Sequence, residues 1–412
     1  MNSESSDERY AAFRHSAFFR YFLARLLATF ATQIISVSVG WQIYDLTRDP
    51  LDLGLVGVVQ FLPALLLVLV TGATADRFGR RLIMGLMTAL EAVCALSLLL
   101  LTYHGLVGPG PIFLILALFG VARAFLGPAS ASLIANLVPK ETFANAIAWN
   151  SSAWQTATIV GPVAGGLLYG LAPELSYGCA TVLMVLSAVL VFAIPKQEQE
   201  QRISGETKSL STLFAGFRYI WGEKIVLGAI SLDLFAVLLS GATALLPIYA
   251  RDILELGPWG LGLLRAGPGI GAIAVAMWLT GHPIRDHAGI IMFGFVMLFG
   301  VFTVVFGVST VPWLSITALA LIGATDMISV YVRETLIQLW TPDEVRGRVN
   351  AVNGVFIGAS NELGEFRAGT MAALIGTVPA VVFGGIGAIA VAGIWAYVFP
   401  ELRKVRTLQG RE

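Results

Sequence analysis

The sequence predicts an all-α membrane protein with twelve transmembrane helices in two pseudo-symmetric six-helix bundles. Three observations predict this fold: an apolar composition, long runs without charge, and an internal repeat. Of the 412 residues, 57% are hydrophobic and only 13% are charged, and the mean hydropathy is +0.80. An average soluble chain is about 25% charged, so this composition cannot cover a water-soluble surface.

Charge-free runs show where the chain crosses the bilayer. Residues 26–44, 53–75, 92–122, 142–173, 175–195, 287–325 and 368–400 contain no Asp, Glu, Lys or Arg. A helix needs about 20 apolar residues to cross, and glycine and proline divide the longest runs. The runs lack the alternation of membrane strands, so helices are expected. The predicted spans are 21–45, 53–75, 82–104, 112–138, 144–171, 175–195, 225–250, 258–281, 288–307, 312–340, 348–374 and 378–399.

Basic residues orient these spans. An even number of crossings puts both termini on one side, and nineteen of the 26 Lys and Arg residues fall there, against two on the other side and five inside spans. By the positive-inside rule, both termini are expected in the cytoplasm. The polar start, residues 1–15, shows no cleavage pattern, so the first span is expected to stay as an anchor.

The two halves of the sequence resemble each other. A shift of 203 residues places Gly120 on Gly323 and Asn150 on Asn353. We therefore expect an N-terminal six-helix bundle over 1–195, a flexible cytoplasmic linker over 196–224, and a C-terminal six-helix bundle with a short cytoplasmic tail over 225–412. Two such halves, related by an axis along the membrane normal, are the design of a rocker transporter with a site at the midplane.

Composition and motifs argue against several other classes. Lys plus Arg and Asp plus Glu both number 26, so no basic excess exists to neutralise nucleic acid. No Gly-Lys-Ser/Thr phosphate loop occurs, and the cysteines and histidines lack ligand spacing. We expect no nucleotide, no metal and no cofactor. A membrane-embedded enzyme or a lipid-binding receptor is the rival class. An intramembrane enzyme would need a clustered His-Asp or His-Glu constellation, or a Ser-His pair, at one depth, whereas the histidines here are terminal or in loops.

Two glycine-containing motifs stand out. A conformational motif lies between the second and third spans, where glycines permit a tight turn and arginines reach the headgroups. A second motif lies in the fifth span. Its proline lacks a backbone N–H donor, and its glycines let a neighbouring helix approach closely. The alternative for the first motif is a basic loop that only sets the membrane topology. The alternative for the second is ordinary packing of small residues. The residues are Gly72, Asp76, Arg77, Gly79, Arg80 and Arg81 in the first, and Gly161, Pro162, Gly165 and Gly166 in the second.

These motifs resemble those of the major facilitator superfamily. The G-x-x-x-D-R-x-G-R-R spacing is similar to that family's loop signature, a latch between halves, and the second motif resembles the antiporter motif of its exporters, with Ala157 in place of an earlier glycine. Arg123 resembles the fourth-helix arginine implicated in proton coupling. Residues 341–349 and 399–403 look like the bacterial branch of siderophore (enterobactin-type) and macrolide exporters. The resemblance implies a major facilitator fold and a proton-driven exporter of the bacterial inner membrane.

Several charges fall inside predicted spans, where an unpaired charge is costly and therefore marks a candidate site. The repeat places Asp326 at the level of Arg123, so the two could face each other across a cavity, or each could pair inside its own half. A carboxyl group shielded from water is a plausible proton carrier, and Asp326 and Glu362 are preferred. The first span has no mid-depth acid, unlike several drug-proton antiporters of the superfamily. The proton-coupling candidates are Arg123, Asp326, Glu362, Glu365 and Asp233.

Aromatic and amide side chains on spans five, ten and eleven could line a cavity for a large, partly apolar substrate. They are Trp149, Asn150, Trp154, Gln155, Tyr331, Asn353 and Asn361. The sequence thus predicts a secondary transporter that exports a drug-like or siderophore-like solute, with that solute, protons and the lipid bilayer as its partners. Uptake of a metabolite or sugar by the same fold is the alternative.

Overall fold

The chain is helical throughout the part that the structure describes. The computed structural model describes residues 10–196 and 210–408, with side chains at 68, 69, 72, 73, 75–77 and 210–215 outside the description. In these ranges helices are joined by short connections, and no strand occurs. Contacts divide the chain into unit 1, Met1–Leu46 with Val59–Lys208, and unit 2, Thr47–Val58 with Ser209–Glu412.

The helices match the predicted spans closely. The first group comprises α1 (Ser16–Thr47), α2 (Pro50–Phe78), α3 (Arg80–Tyr103), α4 (Pro109–Ile134), α5 (Phe143–Leu171) and α6 (Pro173–Phe192). The second comprises α7 (Leu210–Gly222), α8 (Lys224–Ser240), α9 (Gly257–Gly281), α10 (Ala288–Val308), α11 (Pro312–Trp340), α12 (Asp343–Ile375), α13 (Thr377–Val398) and the short α14 (Pro400–Arg403). Prolines begin α2, α4, α6 and α11, at the position where a missing N–H costs least.

Ten of the described segments are long and apolar enough to cross a membrane. The helices α5 and α12 are as long as the others but are not among these ten, and they carry several of the amides and charges singled out above. The fold is therefore that of a multi-pass helical membrane protein. A count of twelve crossings and a division into two six-helix bundles remain predictions.

In each unit, a glycine lets two helices approach closely. In unit 1, α4 lies against α2 so that a β-carbon on Gly120 would meet the backbone of Gln60. In unit 2, α11 lies against α9 so that a β-carbon on Gly323 would meet the backbone of Pro268. The two glycines are those that the 203-residue shift aligns; the repeat itself remains a prediction.

The expected domain limits remain a prediction, and two described features bear on them. Residues of the expected linker form α7, whose Gly216 would place a β-carbon 2.8 Å from the carbonyl oxygen of Arg348 on α12. The segment Thr47–Val58, expected in the first bundle, packs within unit 2. There Gly54 lies against the backbone of Phe366, and Arg48 pairs with Asp252 at 3.3 Å. Small residues at Gly54 and Gly369 permit this approach of α2 to α12.

The helix α8 ends inside its predicted span. Gly241 adopts a left-handed conformation with φ of 42°, and short turns of 3-10, α and π helix follow up to Ile253. The side chain of Arg367 supplies donors at this break: its Nε donates to Leu238 O at 3.0 Å, and its Nη2 donates to Leu239 O. The guanidinium thus satisfies carbonyls that a helix end leaves without intrahelical partners.

Candidate functional site

Unit 2 contains a cluster of ionisable side chains on α8 and α11. Arg333 of α11 forms a salt bridge with Asp233 of α8, and its Nε lies 3.7 Å from Oε1 of Glu334. Asp326, about two turns earlier on α11, interacts electrostatically with both Asp233 and Arg333. The Arg333 side chain is only 4% exposed. This acidic cluster therefore gathers two of the predicted proton-coupling residues around a buried guanidinium.

Asn353 extends the acidic cluster to a third helix. Its Nδ2 donates a hydrogen bond to Oε1 of Glu334 at 3.1 Å, and the residue is buried on α12. The sequence predicts Asn353 as a cavity residue; this remains a prediction, and in the structure its amide is hydrogen-bonded inside unit 2. A buried amide of this kind links α12 to the charges of α11.

The two glutamates of α12 lie in a different environment. Glu365 interacts electrostatically with Arg265 of α9. Glu362 lies so close to Gly57 of α2 that its Oε2 fills the space that a β-carbon on Gly57 would need. A carboxylate therefore packs directly on the start of α2, and a side chain at position 57 would require Glu362 to move.

Unit 1 contains a charge cluster around Arg123 of α4. Glu91 of α3 is 3% exposed and interacts electrostatically with Arg123 and with Arg25 of α1. Nη1 of Arg123 lies 3.5 Å from Oε1 of Gln60 on α2. Four helices of unit 1 thus contribute a polar group to this cluster. Arg123 has partners inside unit 1, and Asp326 has partners inside unit 2. The alternative that Arg123 and Asp326 face each other across a cavity remains a prediction.

Glu91 is a candidate functional residue that the sequence itself indicates. The residue immediately precedes the charge-free run 92–122, so it stands alone in an apolar helix. Gln60 could not have been found in this way, because a single amide between apolar neighbours predicts no particular contact. Its proximity to Arg123 arises from the glycine at 120 that brings α2 and α4 together.

The conformational motif joins three helices of unit 1. Nη1 of Arg80 donates to Ser132 O at 3.0 Å, and Nη2 of Arg81 donates to Phe192 O at 2.8 Å. These carbonyls lie near the end of α4 and at the last residue of α6. The two arginines thus hold the start of α3 against the ends of two neighbouring helices.

The turn of this motif depends on Gly79. It lies between α2 and α3 with φ of 86°, a conformation that L side chains rarely adopt. Gly72, Asp76 and Arg77 belong to the last turns of α2, but their side-chain environments lie outside the described part of the chain. The role of the motif as a latch therefore remains a prediction.

The antiporter-like motif brings α5 onto α1. A β-carbon on Gly161 would lie 2.6 Å from Cβ of Gln33, and one on Gly165 would lie 2.9 Å from Cα of Ile34. Pro162 lies between these two glycines and Gly166 follows them, and both are buried on α5. The motif therefore acts in unit 1 as a close-packing surface, which is what small residues provide between membrane helices.

We expect Gly165→Ala to destabilise the protein by about 1–3 kcal/mol, because the added methyl group meets backbone rather than a movable side chain. Thermal unfolding of the purified protein in detergent would measure the loss. Gly127→Ala on α4 is the matched control, since nothing lies within 4 Å of its β-carbon position. Removing a helical glycine there should be neutral or stabilising by up to about 1 kcal/mol. Equal behaviour of the two variants would contradict the packing role of the motif.

The predicted cavity residues are not equivalent. Trp149 belongs to an aromatic cluster, with ring centroids 5.5 Å from Tyr10 and 5.0 Å from Phe13, so we assign it to packing. Tyr331 packs beside the apolar core of unit 2. Trp154 on α5 is 51% exposed, and Asn361 on α12 is exposed, with its amide donating to Ile357 O. Asn150 and Gln155 are half-buried on α5.

Solved structures of membrane transporters share the fold of this chain. A bacterial homologue of the human lysosomal transporter Spinster matches with a TM-score of 0.72 and 12% identity, covering 95% of this chain and 96% of that one. The xylose transporter XylE from E. coli matches with a TM-score of 0.70 and 13% identity, covering 95% and 98%. The likeness shows the major facilitator fold, as the loop motif led us to expect.

The sequence places the chain in a narrower group than the fold does. A family model described as transmembrane secretion effector matches residues 7–409. The chain therefore belongs to the transmembrane secretion effector family of the major facilitator superfamily.

Curated relatives cover almost the whole chain. The enterobactin exporter EntS of Escherichia coli O1:K1 / APEC is 26% identical over 409 residues, covering 95% of this chain and 94% of the relative. The enterobactin exporter EntS of Citrobacter koseri is 27% identical over 410 residues, with the same coverage. The resemblance to siderophore exporters inferred from short motifs thus extends over the full length of the chain.

Proposed function

We propose that the chain is a twelve-helix secondary transporter that exports a small organic solute across the bacterial inner membrane by alternating access, in exchange for protons. The observation that carries this proposal is the full-length similarity to enterobactin exporters. We further propose that both termini are cytoplasmic, on the distribution of Lys and Arg, and that the protein performs no chemistry on its solute.

The buried charges support a transport role. Ionisable residues inside membrane helices are costly and mark ion or substrate pathways. The acidic cluster of unit 2 and the Arg123 cluster of unit 1 both lie on helices of membrane-spanning length. A protein that needed only a lipid-embedded scaffold could fill these positions with apolar side chains at lower cost.

We assign the proton-carrying role first to Asp326. Asp233 is already paired with Arg333, so Asp326 can gain or lose a proton without breaking that ion pair. The same guanidinium and Asp233 both interact with Asp326, so a change in its charge alters the electrostatic interaction between α8 and α11. Protonation would thereby shift the population of conformations, which is what coupling requires. Glu362 is the second candidate, because its carboxylate contacts the start of α2.

The cargo that we propose is a catecholate or similar siderophore. The supporting observation is that the curated relatives reported above are enterobactin exporters. The exposed Trp154 and Asn361 and the half-buried Asn150 and Gln155 offer aromatic and amide groups to a partly apolar solute. Substrate sites of transporters combine such apolar contact with a few polar groups.

Solute flux in sealed inside-out vesicles would test this function. We expect a catecholate siderophore to accumulate inside vesicles containing the protein when their lumen is acidic, because proton exit would then drive solute entry. Cells that lack the protein should accumulate the same solute in their cytoplasm. Vesicles prepared without the protein are the control for leakage.

Two results would contradict the proposal. Accumulation only in right-side-out vesicles, with protons moving in the same direction as the solute, would indicate uptake of a metabolite or sugar instead. Recovery of a chemically altered solute would indicate an enzyme. Chromatography of the vesicle contents distinguishes transport from conversion.

A further inference from the structure

A cavity of about 330 Å³ lies at one end of unit 1. It is formed where the start of α3 meets the ends of α4 and α6. Its lining residues are Phe78, Gly79, Arg80, Arg81, Leu82, Leu133, Asn136, Phe192 and Lys196. Its volume corresponds to roughly ten water molecules, which is enough for a phosphate group with part of its glycerol.

The polar wall of this cavity is cationic. Arg80 and Arg81 are fixed by their hydrogen bonds to Ser132 O and Phe192 O. Each guanidinium carries five N–H donors, so Arg81 has donors beyond the one that it gives to Phe192. Lys196 is exposed beside them, Asn136 adds an amide, and none of the described lining residues is acidic. Such a wall suits an anion with several acceptor oxygens.

The other wall is apolar and exposed. Phe78 is 56% exposed, Leu82 47% and Phe192 39%. From this wall, exposed apolar side chains continue along the membrane-spanning helices, with Leu86 on α3 and Val189 on α6. The cavity therefore joins a cationic pocket at the helix ends to a surface suited to an acyl chain.

We propose that this cavity binds the headgroup of an anionic glycerophospholipid. The phosphate would sit between Arg81 and Lys196, and the acyl chains would lie along the surface formed by Leu82, Leu86 and Val189. Basic pockets between membrane helices bind anionic headgroups in this way. A soluble phosphate compound would use the cationic wall alone and would leave the apolar wall without a partner. The inference does not depend on the proposed cargo or on proton exchange.

Lipid binding to the full-length protein would test this proposal. The protein is purified in detergent, and phosphatidylglycerol or phosphatidylcholine is titrated while bound lipid is counted by native mass spectrometry. We expect tighter binding of phosphatidylglycerol. Each lost charge should weaken it about fivefold, the equivalent of about 1 kcal/mol per basic residue. Lys196→Gln tests one charge, and Arg81→Gln tests a second.

Lys140→Gln is the matched control, because Lys140 is exposed in unit 1 but does not line the cavity. If Arg81→Gln fails to fold, Lys196→Gln still tests the proposal, because the Lys196 side chain is exposed. Equal binding of the two lipids, or equal affinity of the Lys196 and Lys140 variants, would overturn the proposal. Displacement of the lipid by inorganic phosphate at equal concentration would also overturn it, in favour of a soluble anion.

Discussion

Asp326→Asn is expected to abolish the dependence of solute flux on the pH gradient. The carboxamide cannot bind and release a proton, yet it keeps the size of the side chain beside Asp233 and Arg333. Proteoliposomes with equal amounts of protein would be loaded with solute and assayed with and without an imposed gradient. We expect residual, gradient-independent exchange in the variant and gradient-driven accumulation in the parent protein.

Glu344→Gln is the control for this experiment, because Glu344 is exposed in the first turn of α12. Glu362→Gln tests the second candidate carboxylate in the same assay. The coupling hypothesis fails if both Asp326→Asn and Glu362→Gln keep an unchanged dependence on the gradient. In that event, export itself would remain testable by accumulation in intact cells.

Arg333→Gln should destabilise the protein by about 3–5 kcal/mol, because it leaves the shielded carboxylate of Asp233 without its cation. At about 2–4 °C per kcal/mol for a chain or unit of this size, thermal unfolding should shift downward by roughly 6–20 °C. Fluorescence-detected size exclusion after heating would measure the shift. The effect is large because Arg333 is 4% exposed, so water cannot replace the lost partner.

The double variant Asp233→Asn with Arg333→Gln should recover much of this loss, since removing both charges leaves neither uncompensated. Arg285→Gln provides the surface control, because Arg285 is exposed outside the helices and a surface charge contributes little. A double variant as unstable as Arg333→Gln alone would mean that Arg333 acts through packing rather than through its pairing with Asp233.

The helices could be predicted closely from sequence because membrane-spanning segments obey a simple rule of length and charge. The predicted span 312–340 coincides with α11, and 258–281 differs from α9 by one residue at its start. The rule fails where the chain departs from regular helix. Within the predicted span 225–250, Gly241 alone does not mark the break, because glycine is also common inside membrane helices.

The candidate site was only partly predictable. Charged residues in apolar runs led directly to Asp233 and Asp326, because charge is conspicuous against an apolar background. Their partners could not be assigned, since pairing depends on which helices pack together. Trp149 illustrates the same limit: an aromatic residue on a polar helix suggests a cavity, and its contacts with Tyr10 and Phe13 before α1 could not be foreseen. Its place in a substrate cavity remains a prediction.

The guanidinium of Arg367 has a consequence for mutational screens of this protein. Because it donates hydrogen bonds to the carbonyls of Leu238 and Leu239, its replacement would leave these main-chain acceptors without those donors. A search for inactive variants would therefore recover position 367 together with true coupling residues. Abundance of the protein in the membrane fraction, scored alongside activity, would separate the two kinds of defect.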